Sequence, residues 1–463
     1  MAQSLVVSPE EMEKQRQCAA RVREGFPGRR YKLVTYGCQM NAHDSENLAG
    51  MLEDMGFLPT EDDEQADLIL FNTCCIRDNA ERRLLGNVSA LSQRKREKPD
   101  LLVGVCGCMM QQAGGEKRLL DLCPFVDLIF GTHNLYRLPE LLLRALCGEK
   151  VRETDGDERG RIPEGLPVHR SSRIQGALTI MYGCNNFCTY CVVPYVRGRE
   201  RSRRVEDIVR EAESMAAEGI QEILLLGQNV NSYAGGATFP ELLHALDGVV
   251  PRIRFMTSHP KDLSDALIAE MARSHSVCPQ FHLPVQSGND KVLREMNRVY
   301  TRAHYLERVR ALRAAIPEVG LTTDVIAGFP GETEEEFADT LSLVEEVQYD
   351  SAFTFIYSPR AGTRAAARED QIPEEVQHAR LDRLIRVQER ATAARLAQQV
   401  GSVQEVLVEG PARRREGFLA GRTGRGMTVN FPGDVAQTGR IVPVKILGTG
   451  VNTLRGEMVK ANS

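Results

Sequence analysis

The stretch Met181–Arg204, "MYGCNNFCTYCVVPYVRGRERSRR", decides how the rest of the chain is read. It begins at the end of the strand-like run "GALTIMY" and holds Cys184, Cys188 and Cys191 in the spacing C-x3-C-x2-C. Zinc sites and electron-transfer clusters use a fourth ligand. A cubane [4Fe–4S] held by three thiolates instead leaves one iron without a protein ligand, open to a small molecule. A zinc site completed by His259 or His282 is the alternative.

Around that stretch, residues 171–400 read as alternating strands and helices. The strands are "GALTIMY", "EILLLGQ", "RIRFMTS", "QFHLPV", "GLTTDVIAG" and "SAFTFIYS". Helical patterns such as "VEDIVREAESMAAEG" separate them, and Thr333 with Glu336 makes a capping box. Six units fall short of (β/α)8 closure, so a partial (β/α)6 TIM barrel is expected, with its site at the strand C-termini. The cysteine motif directly follows the first strand. A charged helix over Pro373 to Val400 closes the region.

Upstream, residues 30–147 predict a doubly wound α/β domain with the strands "YKLVTY", "ADLILF", "DLLVGV" and "VDLIF". Cysteines follow three of these strands at turn positions: Cys38 after Gly37, Cys74 after Thr73 and Cys108 after Gly107. They are 36 and 34 residues apart, about one βα unit each, so they converge at the carboxyl edge where such sheets bind ligands. Cys75 and Cys106 are neighbours that could substitute. Residues 1–29 look like an extension with a short charged helix near Glu10 to Arg23, and 148–170 is a polar linker rich in Gly and Pro.

Downstream, residues 401–463 predict a small OB-like β-barrel. It carries nine Lys and Arg against five Asp and Glu, a net +4, in a chain whose net charge is −5. Arg413, Arg414, Arg415, Arg422 and Arg425 form its basic patch, the mark of a nucleic-acid-binding module.

Composition supports this division. The 463 residues are 42% hydrophobic and 26% charged, ordinary globular values. No apolar run approaches the ~18 residues of a membrane span, and no signal peptide is visible. A cytoplasmic location is expected, and in that reducing compartment twelve cysteines favour metal or redox work over disulfides.

With "YGCNNFCTYCVVPYVRGRERSR", "YGCQMN" and "NTCCIRDNAE" in view, the chain resembles the methylthiotransferase branch of the radical S-adenosylmethionine (SAM) superfamily. Within that branch it resembles the MiaB family of tRNA enzymes, over nearly all of the chain after residue 30. The resemblance implies two [4Fe–4S] clusters, one on Cys184, Cys188 and Cys191, and an auxiliary one on Cys38, Cys74 and Cys108. It implies a radical SAM core over 171–400 and an RNA-binding TRAM domain over 401–463. It also implies SAM contacts from Gly227, Gln228 and Asn229 in "LLGQNVNSY", Gln286 and Ser287 in "HLPVQSGND", and Asp324, Gly328 and Phe329 in "TTDVIAGFPGET". In "YSPRAGTRAA", Ala361 and Arg364 stand where relatives usually carry prolines.

The implied reaction puts a methylthio group on C2 of N6-isopentenyl (dimethylallyl) adenosine at position 37 of tRNA, with two SAM molecules per turnover. One SAM methylates a sulfur on the auxiliary cluster; the other gives a 5′-deoxyadenosyl radical that takes the C2 hydrogen, which no side-chain base could remove. No catalytic residue beyond the cluster ligands is expected. Arg197, Arg199, Arg201, Arg203 and Arg204 are expected phosphate contacts beside the base, which lies in a single-stranded loop. Expected partners are the tRNA, an electron donor such as flavodoxin or ferredoxin, and a sulfur or Fe–S carrier, with no membrane and a monomeric state. The rival readings are a methylthiotransferase on threonylcarbamoyl-adenosine or on an Asp of a ribosomal protein, and a non-enzymatic Fe–S RNA-binding regulator.

Overall fold

A computed structural model describes residues 6–75, 78–154, 160–413 and 415–459. The first six strands are β1 (Arg30–Tyr36), β2 (Leu58–Pro59), β3 (Leu68–Thr73), β4 (Leu102–Gly107), β5 (Leu128–Phe130) and β6 (Val151–Glu153). They pair in parallel in the order β2-β1-β3-β4-β5-β6. Helices cover both faces, which is why "LILFNT" and "LVGVCG" are buried along their whole length. Leu68, Leu70, Leu128 and Phe130 face one apolar cluster; Ile69, Phe71, Val103 and Val105 face the other.

The expected helix of the amino-terminal extension runs over Pro9–Gly25 and packs on this core. Cys18, Ala19 and Val22 are buried in the first cluster, and Gln15 Nε2 donates to Glu140 at 3.1 Å. The buried stripe consists of small residues among many charges, so the segment reads as solvated in sequence.

The central strands are β7 (Gln175–Thr179), the short pair β8 (Met181–Tyr182) and β9 (Arg201–Ser202), then β10 (Glu222–Leu226), β11 (Arg252–Phe255), β12 (Gln280–His282), β13 (Gly320–Ala327) and β14 (Ser351–Ile356). The βα series forms two parallel three-stranded sheets, β7-β10-β11 and β12-β13-β14. Val277 links them by a parallel bridge to Ile253. All six expected strands are present, but "GALTIMY" is divided: Met181 and Tyr182 leave β7 and pair antiparallel with Ser202 and Arg201. This small ladder closes the cysteine loop at its base. The Thr333–Glu336 capping box is formed at the start of helix Glu334–Val347, and helix Glu374–Ala397 follows β14.

The last strands, β15 (Val403–Pro411), β16 (Phe418–Thr423), β17 (Thr428–Pro432), β18 (Ile441–Thr449) and β19 (Leu454–Met458), form a closed barrel in the order β15-β16-β17-β19-β18. By packing the chain forms two compact units. The first holds 1–171, 181–187 and 191–203; the second holds 172–180, 188–190 and 204–463. The cysteine loop is thus shared between the two units. Among the described residues no helix is long and apolar enough to cross a membrane.

Candidate active site: two cysteine triads and the mouth of the barrel

Strands β1, β3 and β4 are neighbours in the sheet, so the turns that follow them put Cys38, Cys74 and Cys108 side by side. Cys38 caps helix Gln39–Asp54, and Cys108 opens helix Cys108–Gln111. Gly107 before it has φ +99°, and a Cβ there would lie 2.4 Å from the Thr73 carbonyl oxygen, so only glycine fits. Beneath the turns Asn41 Nδ2 donates to Asn72 Oδ1 and to the Thr73 carbonyl, each at 3.2 Å. Asn72 Nδ2 returns a bond to the Asn41 carbonyl at 2.9 Å. Its one sequence signal was a polar residue inside the apolar strand "LILFNT".

The thiols differ in acidity. A hydrogen bond from Cys74, then the Arg197 charge and the Asn41 and Met40 N–H groups, bring Cys38 down to about 6 against the cost of burial. A hydrogen bond from Cys75, again with Arg197, lowers Cys108. Cys75 is pushed up by its bond to Cys108 and by burial among Val192 and Val196. Burial first, then the Asp44 and Cys108 charges, push Cys106 up, and that side chain lies in the core cluster of the sheet with Leu68 and Leu70. The geometry thus favours Cys108 over Cys106, while Cys74 and Cys75 both stand against the group.

In the second triad, Asn186 Nδ2 lies 3.4 Å from Cys184 Sγ. Cys188 Sγ accepts from Arg298 Nη1 at 3.6 Å. Arg298 is buried and fixed by the Pro284 carbonyl at 2.7 Å and the Tyr300 hydroxyl at 2.9 Å. Gly183 precedes the loop with φ +78°, and a Cβ there would meet the Arg199 carbonyl oxygen at 2.1 Å. Both donor sets, soft thiolates with N–H donors on sulfur, suit iron–sulfur clusters. Among the described residues no three Cys, His, Asp or Glu side chains close on one point as a single metal ion needs. A cubane takes each ligand on a different iron and asks for a wider triangle.

Beyond β10 and β11, buried polar atoms stand without partners: Asn229 Oδ1, both amide atoms of Asn231, Ser258 Oγ and His259 Nε2. Burial, then the Arg298 charge, push His259 down to about 2, so its ring stays neutral. Its Nδ1 accepts the Lys261 N–H at 3.3 Å, which leaves the proton on Nε2. Unsatisfied groups gathered at the carboxyl ends of barrel strands suit a polar ligand such as SAM. On the inner face Asp324 Oδ1 lies 3.6 Å from His282 Nε2. Phe353 and Phe355 are half exposed on the same face of β14.

The residues expected to touch SAM divide. Asn229 is buried and donates to Asp262 at 2.8 Å; the Gly227 carbonyl accepts from Thr257, and Gln228 lies between them. Gln286, with φ +66°, extends β12 by bonds to Asp324 and Ile326. Asp324 is open on the inner face. Gly328 makes a turn, its N–H on Glu332. Two expectations are corrected. Ser287 is fully buried, with its hydroxyl on Thr340 at 3.3 Å, so it faces helix Glu334–Val347 and not a ribose. Phe329 is fully buried against Tyr357, 5.6 Å between ring centroids, and offers no surface to an adenine.

Three families match the chain: the Radical SAM superfamily over residues 178–344, Uncharacterized protein family UPF0004 over 30–131 and the TRAM domain over 397–459. The tRNA-2-methylthio-N(6)-dimethylallyladenosine synthase of Clostridium perfringens is 52% identical over 435 residues, which cover 92% of this chain and 97% of its own. The enzyme of that name from Alkaliphilus oremlandii is 50% identical over 98% of both chains. The chain belongs to this family. Among solved structures, the radical SAM methyltransferase TsrM from Kitasatospora setae, with cobalamin and a [4Fe–4S] cluster bound, superposes with TM-score 0.56 at 18% identity. That match covers 73% of this chain and 77% of TsrM and speaks to fold alone.

The arginines of this family member are not one patch. Arg197, Arg201 and Arg203, expected on phosphate, are buried. Arg197 holds Asp44 and Cys108, Arg201 donates to the Arg197 and Arg199 carbonyls, and Arg203 is paired with Glu164 at 2.6 Å. Arg199 is exposed over the Phe187 ring, and Arg204 is exposed beside Asp207. In the carboxy-terminal barrel Arg425 is also buried, on Asp350 at 2.7 Å, so it is structural. Arg413 and Arg415 are exposed, and Arg422 is partly so, beside Glu409. Arg414 lies outside the described residues.

Proposed function

We propose that this chain converts N6-dimethylallyladenosine at position 37 of tRNA to its 2-methylthio derivative. The observation that carries the reading is the pair of cysteine triads, one across three adjacent strand ends and one on the loop after β7, in a chain about half identical to synthases of that name. Cys184, Cys188 and Cys191 would hold a cluster that supplies reductive cleavage of SAM, and Cys38, Cys74 and Cys108 would hold an auxiliary cluster that supplies the sulfur. Together with two SAM per turnover these groups supply a methylated sulfur and the removal of an unactivated C2 hydrogen.

The chain's own residues orient and exclude. Arg298 fixes Cys188 from the barrel side. Asn229, Asn231, Ser258 and His259 offer polar atoms to the SAM amino acid and ribose, with Gly227, Gln228, Gln286 and Asp324 as further lining. Phe353 and Phe355 give the apolar surface that a dimethylallyl group needs. Exposed Arg199, Arg204, Arg413 and Arg415 are the phosphate contacts this reading favours, with the partly exposed Arg422 beside them. The reading places the reaction in the cytoplasm with its tRNA, fed by a low-potential donor such as flavodoxin or ferredoxin and by a sulfur carrier. Nucleoside mass spectrometry tests it. tRNA from a strain lacking the protein should accumulate dimethylallyladenosine without its methylthio group, and an unchanged methylthio content overturns the assignment.

A further inference from the structure

Arg197 stands six residues after Cys191, inside a run that reads as a surface charge tract. In the fold it is buried, with 5% of its surface exposed. Nη2 donates to Asp44 Oδ2 at 2.6 Å, and Nε donates to Cys108 Sγ at 3.3 Å. Asp44 is itself buried, on the helix that Cys38 caps, and so is Cys108. One planar guanidinium thus spans from the carboxylate below Cys38 to the sulfur of Cys108. A lysine has no such fork and would satisfy one partner at a time. The Arg197 carbonyl in turn accepts from Arg201 Nη1 at 3.2 Å, which fixes the backbone that carries the guanidinium.

The position has consequences for whatever metal centre the sulfur holds. Hydrogen bonds to ligand sulfur and the net charge nearby set the potential of an iron–sulfur cluster. An N–H donor and a positive charge favour the reduced, more electron-rich state; a buried carboxylate opposes it. Burial strengthens both effects, because little water screens them. We propose that Arg197, anchored by Asp44, is a positioning residue of the auxiliary centre that raises its reduction potential through Cys108. The inference rests on the two-cluster reading above.

The test uses the full-length chain in a Cys184→Ala, Cys188→Ala, Cys191→Ala background, reconstituted with iron and sulfide, so that only the auxiliary cluster is present. Iron content and an EPR-monitored redox titration are then read for the parent and for Arg197→Met and Asp44→Asn. The expected result is a downward shift of potential with Arg197→Met and an upward shift with Asp44→Asn. Opposite signs are something that general damage to the fold does not produce. If the parent background binds no cluster, the two-cluster reading fails and this inference falls with it. If the parent holds one cluster and Arg197→Met keeps its potential and EPR spectrum, the inference alone is overturned. Should Arg197→Met not fold by circular dichroism, Arg197→Lys decides. It keeps the charge but loses the fork, so its potential must drop part of the way, and an unmoved potential refutes the role.

Discussion

Glu332 follows the Gly328 turn, and its carboxylate has no exposed surface. It accepts the Gly328 N–H at 2.8 Å and faces Arg380 Nη1 at 3.0 Å, yet its other oxygen has no partner. Burial outweighs those two favourable contacts and raises its pKa to about 7 from an ordinary 4.5. The folded chain therefore keeps a proton that the unfolded chain has already lost. That advantage is full below about pH 4.5 and gone above about pH 7, so this group removes up to about 3 kcal/mol of stability as pH rises through the window. Glu332→Gln, always neutral, should flatten this part of the pH dependence. Urea midpoints at both ends of the window check it, and parallel curves for the two proteins would mean that Glu332 titrates normally. The arginines teach a related lesson at this scale. "RGRERSRR" looks uniform in sequence, but each member's partner is set by the fold: Asp44 for Arg197, Glu164 for Arg203 and the adjacent Asp207 for Arg204. No local rule points to a carboxylate 153 residues away.

At the scale of elements, regular periodicity made most of the fold readable. The six strands of the barrel, the five of the carboxy-terminal module and the strands that end in Cys38, Cys74 and Cys108 all appear where alternating or continuous apolar runs put them. Other elements are less legible: β2 and β6 are two and three residues long, and β6 lies inside the run that reads as a linker. The ladder of β8 and β9 involves two residues on each side, too few to leave a pattern. The helix Pro9–Gly25 was recognised as a helix but not as part of the core, because Cys18, Ala19 and Val22 are small and their neighbours are charged. Its burial has an energetic consequence. Val22 is fully buried against the cluster that includes Leu138, Leu141 and Leu142. A Val22→Asp change puts a carboxylate there without a partner and should cost about 3 kcal/mol or more. The check is urea unfolding beside Arg16→Asp, an exposed site on the same helix where about 0.5 kcal/mol or less is expected. Equal losses at the two sites would mean that the helix adds nothing to the core.

For the molecule as a whole, charge decides where an RNA can bind. A net charge of −5 gives no general attraction to a polyanion, so affinity must come from local cations. On the proposed reading the carboxy-terminal barrel would supply them, but only some of its arginines face water. Arg413 and Arg415 are exposed, while Arg425 is held on Asp350 in the interior. The three should therefore behave differently although sequence puts them in one patch. Replacing Arg413 and Arg415 by Ala should weaken tRNA binding at all salt concentrations. It should also flatten the slope of log K against log salt by about one unit per lost phosphate contact. Stability should stay within about 0.5 kcal/mol. Arg425→Ala should do the reverse. It leaves Asp350 buried without this partner, a loss of order 3–5 kcal/mol for a broken buried pair, and where the protein stays folded the salt slope is unchanged. Arg395 Nη2, 3.6 Å from the other Asp350 oxygen, softens that loss toward the lower end. Equilibrium binding to the isopentenylated tRNA across a salt series, with urea unfolding alongside, separates the two behaviours. A salt slope that survives loss of Arg413 and Arg415 would move the phosphate contacts off this barrel and onto Arg199 and Arg204.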